Sequence, residues 1–250
     1  MRKFGLIGYP LTHSLSKKYF TEKFLKENIS DCSYDNYPVD SIDSFPDLLI
    51  KNPDICGLNV TIPYKTEILK YVDVKAPYID EIGAVNVLKI KRKGKSLSVY
   101  GFNSDIDGIR DSVSPFLIFG LKNAVILGTG GASKAVSYTL RSLGLKVTLV
   151  SRTPRPGVIS YQDIDNHLIS ETDIIINTTP LGMYPSTGSK PDIRYDLLNE
   201  KHILFDLVYN PEMTEFLKMG EERGCRVITG LKMLYSQAER SWEIWNSPLF

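Results

Sequence analysis

The apolar residues of the chain follow two alternating patterns. Short apolar runs, typical of buried strands, alternate with segments whose apolar residues recur every three or four positions, as on one face of a helix. The runs that predict strands cover residues 3–8, 33–39, 55–62, 83–88, 96–100, 124–127, 146–150, 172–177, 202–206 and 225–229. Helices are predicted at 15–28, 41–51, 77–81, 132–143, 212–223 and 231–246, with another after residue 108. This alternation predicts an α/β fold.

A glycine-rich turn joins a predicted strand to a predicted helix in the stretch Ala124-Val-Ile-Leu-Gly-Thr-Gly-Gly-Ala-Ser133. Glycines at 128, 130 and 131 permit a tight turn and let backbone N–H groups at the helix start approach a pyrophosphate. Ser133 stands where a third glycine is usual and is still small enough for close packing. Because an apolar run at 146–150 follows the helix, the stretch predicts a dinucleotide-binding βαβ unit rather than an ordinary turn.

The strand at 146–150 ends in Ser151-Arg152-Thr153, about 20 residues after the glycine turn. An NAD site usually has Asp or Glu at this distance, to accept a hydrogen bond from the ribose, but the next acidic residue is Asp163. An arginine between two hydroxyls suits a 2′-phosphate, so we predict NADP(H). The alternative is an exposed surface arginine. The segment 154–157 contains two prolines and cannot be helical, which predicts a short, irregular second crossover.

Polar residues at the ends of other elements are candidates for a substrate. Ser14 and Ser16 begin a helix, where they either cap it or bind a carboxylate. Asn59, Thr61 and Lys65 stand at the end of a strand, the position where α/β sheets place ligand groups. A further group is Asp105 with Asp107, which either cap a helix or act in chemistry.

Composition narrows the classes of partner. The 250 residues are 42% hydrophobic and 24% charged, with net charge +1, so nothing indicates nucleic acid or a membrane surface. We expect no spanning helix and no metal site, since the three histidines are scattered. Cys32, Cys56 and Cys225 are predicted to be buried free thiols in a reducing cytoplasm. Two βα units precede the dinucleotide unit, so we expect a substrate domain, then a cofactor domain, with a cleft between them.

Eight motifs in order resemble the shikimate dehydrogenase family over nearly the whole chain. They are Gly8-Tyr-Pro-Leu-Thr-His-Ser-Leu-Ser16, Gly57-Leu-Asn-Val-Thr-Ile-Pro-Tyr-Lys65, Gly83-Ala-Val-Asn86, Gly101-Phe-Asn-Ser-Asp105, Gly128-Thr-Gly-Gly-Ala-Ser133, Ser151-Arg-Thr153, Asn177-Thr-Thr-Pro-Leu-Gly-Met183 and Gly230-Leu-Lys-Met-Leu-Tyr-Ser-Gln237. The resemblance implies a substrate domain at 1–105 plus 231–250 and a Rossmann-like, doubly wound NADP domain at 106–230, with the last helix returning to the substrate domain. It also implies a cytoplasmic monomer or homodimer that reduces 3-dehydroshikimate to shikimate with NADPH, on the route to chorismate and the aromatic amino acids.

The resemblance also implies residue roles. Lys65 and Asp105 would be the catalytic pair. Substrate would be bound by Ser14, Ser16, Asn59, Thr61, Asn86, Tyr209 and Gln237. The cofactor would be bound by Gly128, Thr129, Gly130, Gly131, Ala132, Ser133, Ser151, Arg152, Thr153, Thr178, Met183, Val208 and Gly230.

The chain departs from the family at Lys17, often a proline, and at Ser104, usually a threonine. Its crossover after Thr153 is also shorter than usual. Two other functions stay open at this point. One is a quinate/shikimate dehydrogenase that uses NAD, against which Arg152 argues. The other is a non-catalytic NADP-binding sensor on the same fold, against which the presence of both Lys65 and Asp105 argues.

Overall fold

A computed structural model describes residues 1–11, 14–94 and 96–248 of the chain. The described residues divide into two compact units. The first contains Met1–Ser104 and the segment from Gln237 onward, and the second contains Asp105–Ser236. The predicted α/β class with two units is confirmed. Which unit binds which ligand stays a prediction.

The first unit is built on a mixed sheet. Its elements are β1 (Arg2–Gly8), α1 (Ser16–Lys26), β2 (Cys32–Pro38), α2 (Phe45–Lys51), β3 (Ile55–Val60), β4 (Val74–Lys75), α3 (Ile79–Ile82), β5 (Val87–Lys93) and β6 (Ser96–Phe102). The strand order is β2-β1-β3-β5-β6-β4. β1 pairs in parallel with β2 and β3, whereas β5 is antiparallel to β3 and β6. The carboxyl ends of β1 and β3 therefore lie at one edge of the sheet.

The second unit is built on a parallel sheet. Its elements are α4 (Asp105–Val113), β7 (Asn123–Leu127), α5 (Gly131–Ser142), β8 (Lys146–Val150), β9 (Val158–Ile159), α6 (Asn166–Ser170), β10 (Ile174–Asn177), β11 (Ile203–Asp206), α7 (Glu215–Glu221), β12 (Arg226–Ile228) and the start of α8 (Gly230–Asn246). The strand order is β12-β11-β10-β7-β8-β9. β7 and β8 pair in parallel, so the predicted βαβ unit is confirmed.

Helix α8 begins in the second unit, and its residues from Gln237 belong to the first. These residues complete an aromatic core. Phe4 on β1 stacks on Trp245 at 4.7 Å between ring centroids, and Phe20 on α1 stacks on Tyr34 of β2 at 4.4 Å. The indole N–H of Trp245 donates to the carbonyl oxygen of Leu88 at 3.0 Å. The predicted return of the last helix to the first domain is confirmed by these contacts.

Some details of the sequence prediction were wrong. The strand predicted at 83–88 begins only at Val87, because Gly83 adopts φ +65° and ends α3. The strand predicted at 55–62 ends at Val60, where the chain turns. Cys56 is half-buried rather than buried, since it points to the opposite face of β3 from the buried Ile55. The predicted basic turn at 91–95 includes residue 95, which lies outside the described residues.

None of the helices in residues 1–11, 14–94 and 96–248 combines the length and apolar character needed to cross a membrane. The same residues hold no group of three His, Cys, Asp or Glu side chains arranged to bind a metal ion.

Candidate active site

Strand β3 and the segment after it carry three of the predicted substrate and catalytic residues. Asn59 lies within β3, and the backbone N–H of Thr61 donates to the carbonyl oxygen of Ile7 on β1 at 2.9 Å. The carbonyl oxygen of Lys65 accepts a hydrogen bond from the N–H of Val85 at 2.7 Å. The loop from Thr61 to Lys65 is thus fixed on both sides of the strand end, and the side chain of Lys65 is half-buried.

Tyr64 anchors this loop from within. Its side chain is buried, its hydroxyl donates to the carbonyl oxygen of Val39 at 2.7 Å, and its N–H donates to Thr61 at 2.9 Å. A buried, hydrogen-bonded neighbour restricts the backbone of Lys65, which favours a defined position for the ammonium group.

Asn86 joins two predicted substrate residues. It is 2% exposed, and its Nδ2 atom donates to Oε1 of Gln237 at 3.2 Å and to the hydroxyl oxygen of Ser104 at 3.2 Å. Its Oδ1 atom accepts from the backbone N–H of Ser104 at 2.7 Å. Asn86 and Gln237 are 151 positions apart in the sequence, yet the first unit places their amides in direct contact.

Sequence reasoning missed two further members of this polar cluster. Tyr34 on β2 donates from its hydroxyl to Oδ1 of Asn59 at 2.9 Å, and Nδ2 of Asn59 donates to the hydroxyl of Ser241 at 2.8 Å. The position of Ser241 was the available signal, because it follows Gln237 by one helical turn and so shares its face of α8.

Ser14 and Ser16 lie at the start of α1. The residue that caps α1 is Leu15, and no side chain among the described residues makes a capping hydrogen bond there. The hydroxyl of Ser14 instead accepts from the N–H of Ser16 at 3.3 Å. The Ser14 hydroxyl thus satisfies one N–H at the start of α1, and the choice between capping and carboxylate binding stays open. Residues 12 and 13 of the predicted loop lie outside the described part of the chain.

Two predicted substrate-site residues belong to the second unit. Asp105 is the first residue of α4 and is fully buried, in the first turn, where the helix dipole favours a carboxylate. Its neighbour Asp107 forms an ion pair with Arg110 at 3.5 Å, as a surface charge would. Tyr209 is half-buried in the loop after β11, beside Val208.

The glycine turn lies between β7 and α5. Gly128 has φ +112°, and an added Cβ there would lie 2.6 Å from the hydroxyl oxygen of Thr178. Gly130 precedes the helix, and no atom described lies within 4 Å of the place its Cβ would take. The buried hydroxyl of Ser133 donates to the carbonyl oxygen of Gly130 at 2.7 Å. This open helix N-terminus fits a pyrophosphate.

Thr129 lies within the turn, Gly131 is the first residue of α5 and Ala132 is the second; Thr129 and Ala132 are both half-buried. The first turn of α5, which is described in full, contains no acidic residue. Nothing in that turn therefore opposes the attraction of the helix dipole for a phosphate group.

Arg152 lies just after β8. Its side chain is exposed, and no described carboxylate is within ion-pair distance of it. The N–H of Thr153 donates to the hydroxyl oxygen of Ser151 at 3.3 Å, which curves the chain around the strand end. Residues 151–157 contain no helix, as predicted for 154–157, but the rest of the crossover from β8 to β10 includes the unpredicted helix α6. An exposed guanidinium beside two hydroxyl residues fits a 2′-phosphate.

The residues predicted at the nicotinamide end follow β10 and β11 or begin α8. Thr178 donates from its hydroxyl to the carbonyl oxygen of Leu127 at 2.7 Å, which joins it to the glycine turn. Gly230 approaches Val208 so closely that a Cβ would lie 2.7 Å from the carbonyl oxygen of Val208. Met183 is 41% exposed in the loop after β10. Thr178 thus lies at the end of β7, and Val208 and Gly230 lie against each other after β11.

Asp206, which sequence reasoning missed, holds these loops together. It is fully buried at the end of β11 and accepts hydrogen bonds from Asn177 Nδ2 at 3.0 Å, from the N–H of Val208 at 2.9 Å and from the hydroxyl of Thr214 at 2.6 Å. Burial raises the pKa of Asp206 to about 6, and these three hydrogen bonds act in the opposite direction.

The second unit has a parallel sheet, a glycine turn at a helix N-terminus and an exposed arginine after the next strand, and the first unit holds a group of hydrogen-bonded polar side chains. These features are typical of a nicotinamide dinucleotide-dependent dehydrogenase. Comparison with known proteins narrows the class. A family model described as the shikimate dehydrogenase substrate binding domain matches residues 6–88, all within the first unit.

Full-length relatives agree. The chain is 38% identical to the shikimate dehydrogenase (NADP(+)) of Ignicoccus hospitalis, over 97% of this chain and 92% of the relative. It superposes with a TM-score of 0.86 on shikimate dehydrogenase 1 from Peptoclostridium difficile, at 37% identity, covering 100% of this chain and 93% of that one. The Thermus thermophilus shikimate 5-dehydrogenase, solved in complex with NADP(H) and shikimate, gives a TM-score of 0.85 at 28% identity, covering 100% and 95%. The chain belongs to the shikimate dehydrogenase family.

Proposed function

We propose that this protein is a shikimate dehydrogenase, which reversibly reduces 3-dehydroshikimate to shikimate with NADPH on the route to chorismate and the aromatic amino acids. The observation that carries the proposal is a backbone hydrogen bond in a member of this family: Val85, the residue before Asn86, donates its N–H to the carbonyl oxygen of Lys65 at 2.7 Å, which fixes Lys65 beside the segment that carries Asn86. A lysine supplies a proton donor, and the amides supply the donors and acceptors that a polyhydroxylated ring requires.

The substrate carboxylate is assigned to Ser14, Ser16 and Thr61. Two observations support the serines: among the described residues the Ser16 side chain makes no capping hydrogen bond at α1, and α1 presents its N–H groups and positive dipole end at this point. The hydroxyls of the ring are assigned to Asn86, Asp105 and Gln237, with Asn59 and Tyr209 nearby. The direct contact between Asn86 and Gln237 supports their joint role, since a pair of amides can donate to one hydroxyl and accept from another.

The proton of the reaction is assigned to Lys65. In the direction of reduction it donates to the alkoxide oxygen at C3, and in the direction of oxidation it accepts the proton from the C3 hydroxyl. Asp105 orients the ring hydroxyls and Lys65. The anchored loop around Tyr64 supports this assignment, because a general acid must be held within hydrogen-bond reach of its proton acceptor.

The second unit is assigned to NADP(H), which supplies the hydride when bound. Gly128 to Ser133 would hold the pyrophosphate at the start of α5, and Ser151, Arg152 and Thr153 would hold the 2′-phosphate. Thr178, Met183, Val208 and Gly230 would line the nicotinamide end. The substrate domain predicted from the sequence, 1–105 with 231–250, would bind the substrate, and the predicted domain 106–230 would bind the cofactor.

The cell compartment and assembly belong to the same proposal. Cys32, Cys56 and Cys225 are free thiols, which suits the reducing cytoplasm. We propose a monomer or a homodimer, which sedimentation equilibrium of the purified chain would distinguish.

Steady-state kinetics with two substrates and two cofactors tests the function. Purified protein is given shikimate or quinate with NADP⁺ or NAD⁺, and the appearance of reduced nicotinamide is followed by absorbance. We expect turnover of shikimate with NADP⁺ and a preference for NADP⁺ over NAD⁺ of at least about tenfold in kcat/KM. Equal or better use of NAD⁺ with quinate would favour a quinate/shikimate dehydrogenase. NADP⁺ binding without turnover would favour a non-catalytic sensor.

A further inference from the structure

The polar cluster of the first unit consists of the hydrogen-bonded side chains of Tyr34, Asn59, Asn86, Ser104, Gln237 and Ser241. The hydroxyl group of Ser241, on α8, lies at its centre. Ser241 is fully buried, and its Oγ atom is 2.8 Å from the carbonyl oxygen of Gln237, 2.8 Å from Nδ2 of Asn59 and 3.1 Å from Oγ of Ser104. None of the residue roles assigned above includes Ser241. Its three partners nevertheless belong to, or directly contact, residues assigned to the substrate.

The chemistry of these groups fixes the direction of each hydrogen bond. A serine hydroxyl has one proton, and Ser241 uses it on the carbonyl oxygen of Gln237, which can only accept. Ser241 must therefore accept from both Asn59 Nδ2 and the hydroxyl of Ser104. Ser104, having donated its own proton, is left to accept from Nδ2 of Asn86.

The same order extends to Gln237. Because Nδ2 of Asn86 donates to Oε1 of Gln237, the amide NH₂ of Gln237 is turned away from Asn86. The backbone of Gln237 is held by Ser241, and its side chain is held through Ser104 and Asn86. The Ser241 hydroxyl thus contacts Gln237 directly, at its carbonyl oxygen, and is also connected to its side chain through Ser104 and Asn86.

We infer that Ser241 is a positioning residue for substrate binding, which sets the orientation of the Asn59, Asn86 and Gln237 amides through its hydrogen bonds to Asn59 Nδ2, Ser104 Oγ and the Gln237 carbonyl. The inference rests on the proposed function, because it assumes that these amides meet the ring hydroxyls. It assigns Ser241 no contact with the substrate itself.

Removal of the hydroxyl leaves two donors with poor alternatives. In Ser241→Ala, Asn59 Nδ2 is left with the carbonyl oxygen of Asn86, to which it already donates at 3.4 Å. The alternative for the Ser104 hydroxyl is Oδ1 of Asn86, also at 3.4 Å, an atom that already accepts the N–H of Ser104. Both alternatives pull on Asn86, so the substitution disturbs the amide that holds Gln237.

The test compares Ser241→Ala with a matched control, Ser112→Ala. Ser112 is a buried helical serine whose hydroxyl donates to the carbonyl oxygen of Gly108 at 2.7 Å, the same local bond that Ser241 makes to Gln237. For each full-length variant the measurements are the melting temperature, kcat, and KM for shikimate and for NADP⁺. We expect Ser241→Ala to raise KM for shikimate roughly tenfold, with KM for NADP⁺ unchanged, and Ser112→Ala to leave both unchanged.

Ser241→Thr keeps the hydroxyl and should restore KM for shikimate to near the parent value. If Ser241→Ala does not fold, Ser104→Ala opens the network at the next bond and should show the same selective rise. Unchanged KM for shikimate in a folded Ser241→Ala variant, or equal rises for shikimate and NADP⁺, would overturn the inference. If the parent protein neither binds nor oxidises shikimate, the proposed function is overturned, and this inference with it. If the parent is active and Ser241→Ala has the same KM for shikimate, only the inference is overturned.

Discussion

Asp206 provides a prediction in which two opposing effects can be weighed against each other. Its carboxylate is buried at the end of β11, which disfavours the charged form, while Asn177, Val208 and Thr214 donate hydrogen bonds to it, which favours the charged form. Burial is the larger effect, and the pKa of Asp206 rises from 3.8 to about 6. The charge of this carboxylate also acts on Tyr195, whose own pKa is raised chiefly by burial.

The sign of the pH dependence follows from proton uptake. Between about pH 4 and about pH 6 the folded protein keeps a proton on Asp206 that the unfolded chain releases. The contribution of Asp206 to the free energy of unfolding is therefore fully present below about pH 4 and is lost as the pH rises through about 6. A shift of about two pKa units corresponds to roughly 3 kcal/mol in the free energy of unfolding.

The substitution Asp206→Asn removes the titration while keeping the shape of the side chain. We expect the free energy of unfolding of the parent, minus that of Asp206→Asn, to fall by roughly 3 kcal/mol between about pH 4 and about pH 6.5. The measurement is urea unfolding at a series of pH values, followed by far-UV circular dichroism, because Trp242 and Trp245 both lie in the first unit and their fluorescence does not report on Asp206.

Asp163→Asn is a control of opposite sign. The hydroxyl and N–H of Ser160 donate to Asp163, and these hydrogen bonds lower its pKa. The stability that Asp163 contributes should therefore be lost as the pH falls, not as it rises. A difference between parent and Asp206→Asn that is flat with pH, or that increases with pH as for Asp163, would refute the reasoning and show that the three hydrogen bonds outweigh burial.

Three further predictions concern the proposed roles. In steady-state kinetics, Lys65→Ala should lower kcat by on the order of 10²–10⁴ with little change in KM for shikimate. Asp105→Asn should also lower kcat, and the double mutant should lose less than the product of the two single losses. Near-normal turnover of Lys65→Ala would contradict the role of the lysine. Arg152→Ala should weaken NADP(H) binding by about 1.5–3 kcal/mol and leave NAD(H) binding unchanged in calorimetric titrations, so equal losses would exclude the 2′-phosphate contact. Ser16→Ala should raise KM for shikimate without lowering the melting temperature, and the reverse result would return this residue to helix capping.

The features that could be predicted from the sequence are those encoded within a short segment. The unit from β7 to β8 was predicted because its apolar run, glycine turn and helical periodicity are contiguous. β9 could not be, since Val158 and Ile159 form a strand only because β8 offers them a free edge. The backbone turn after Val60 also overrode an apolar pattern that continued to Ile62.

The candidate site shows the same limit. The resemblance to the family assigned roles to Asn86 and Gln237, but no local pattern indicates that their amides are in contact, because that contact depends on where α8 packs. Ser241 looks like any polar residue of an amphipathic helix until Asn59 and Ser104 approach it. Asp206 likewise becomes a buried acceptor only once the loops after β10 and β11 are formed.

The first unit is assembled from two segments that are far apart in the sequence and therefore leave the ribosome at different times. The ribosome releases β1 and its Phe4 early, but the indole of Trp245 that stacks on Phe4 arrives only with α8. The side chain of Arg2 reaches Asn246 across 244 positions, at 2.8 Å. The second unit is continuous, so all of its partners are present once Ser236 has emerged. Domains usually fold during synthesis from the N-terminus onward. In the nascent chain the second unit can therefore fold before the first, whose aromatic core is incomplete until α8 emerges. During that interval the first unit exposes apolar surface of the kind that chaperones bind.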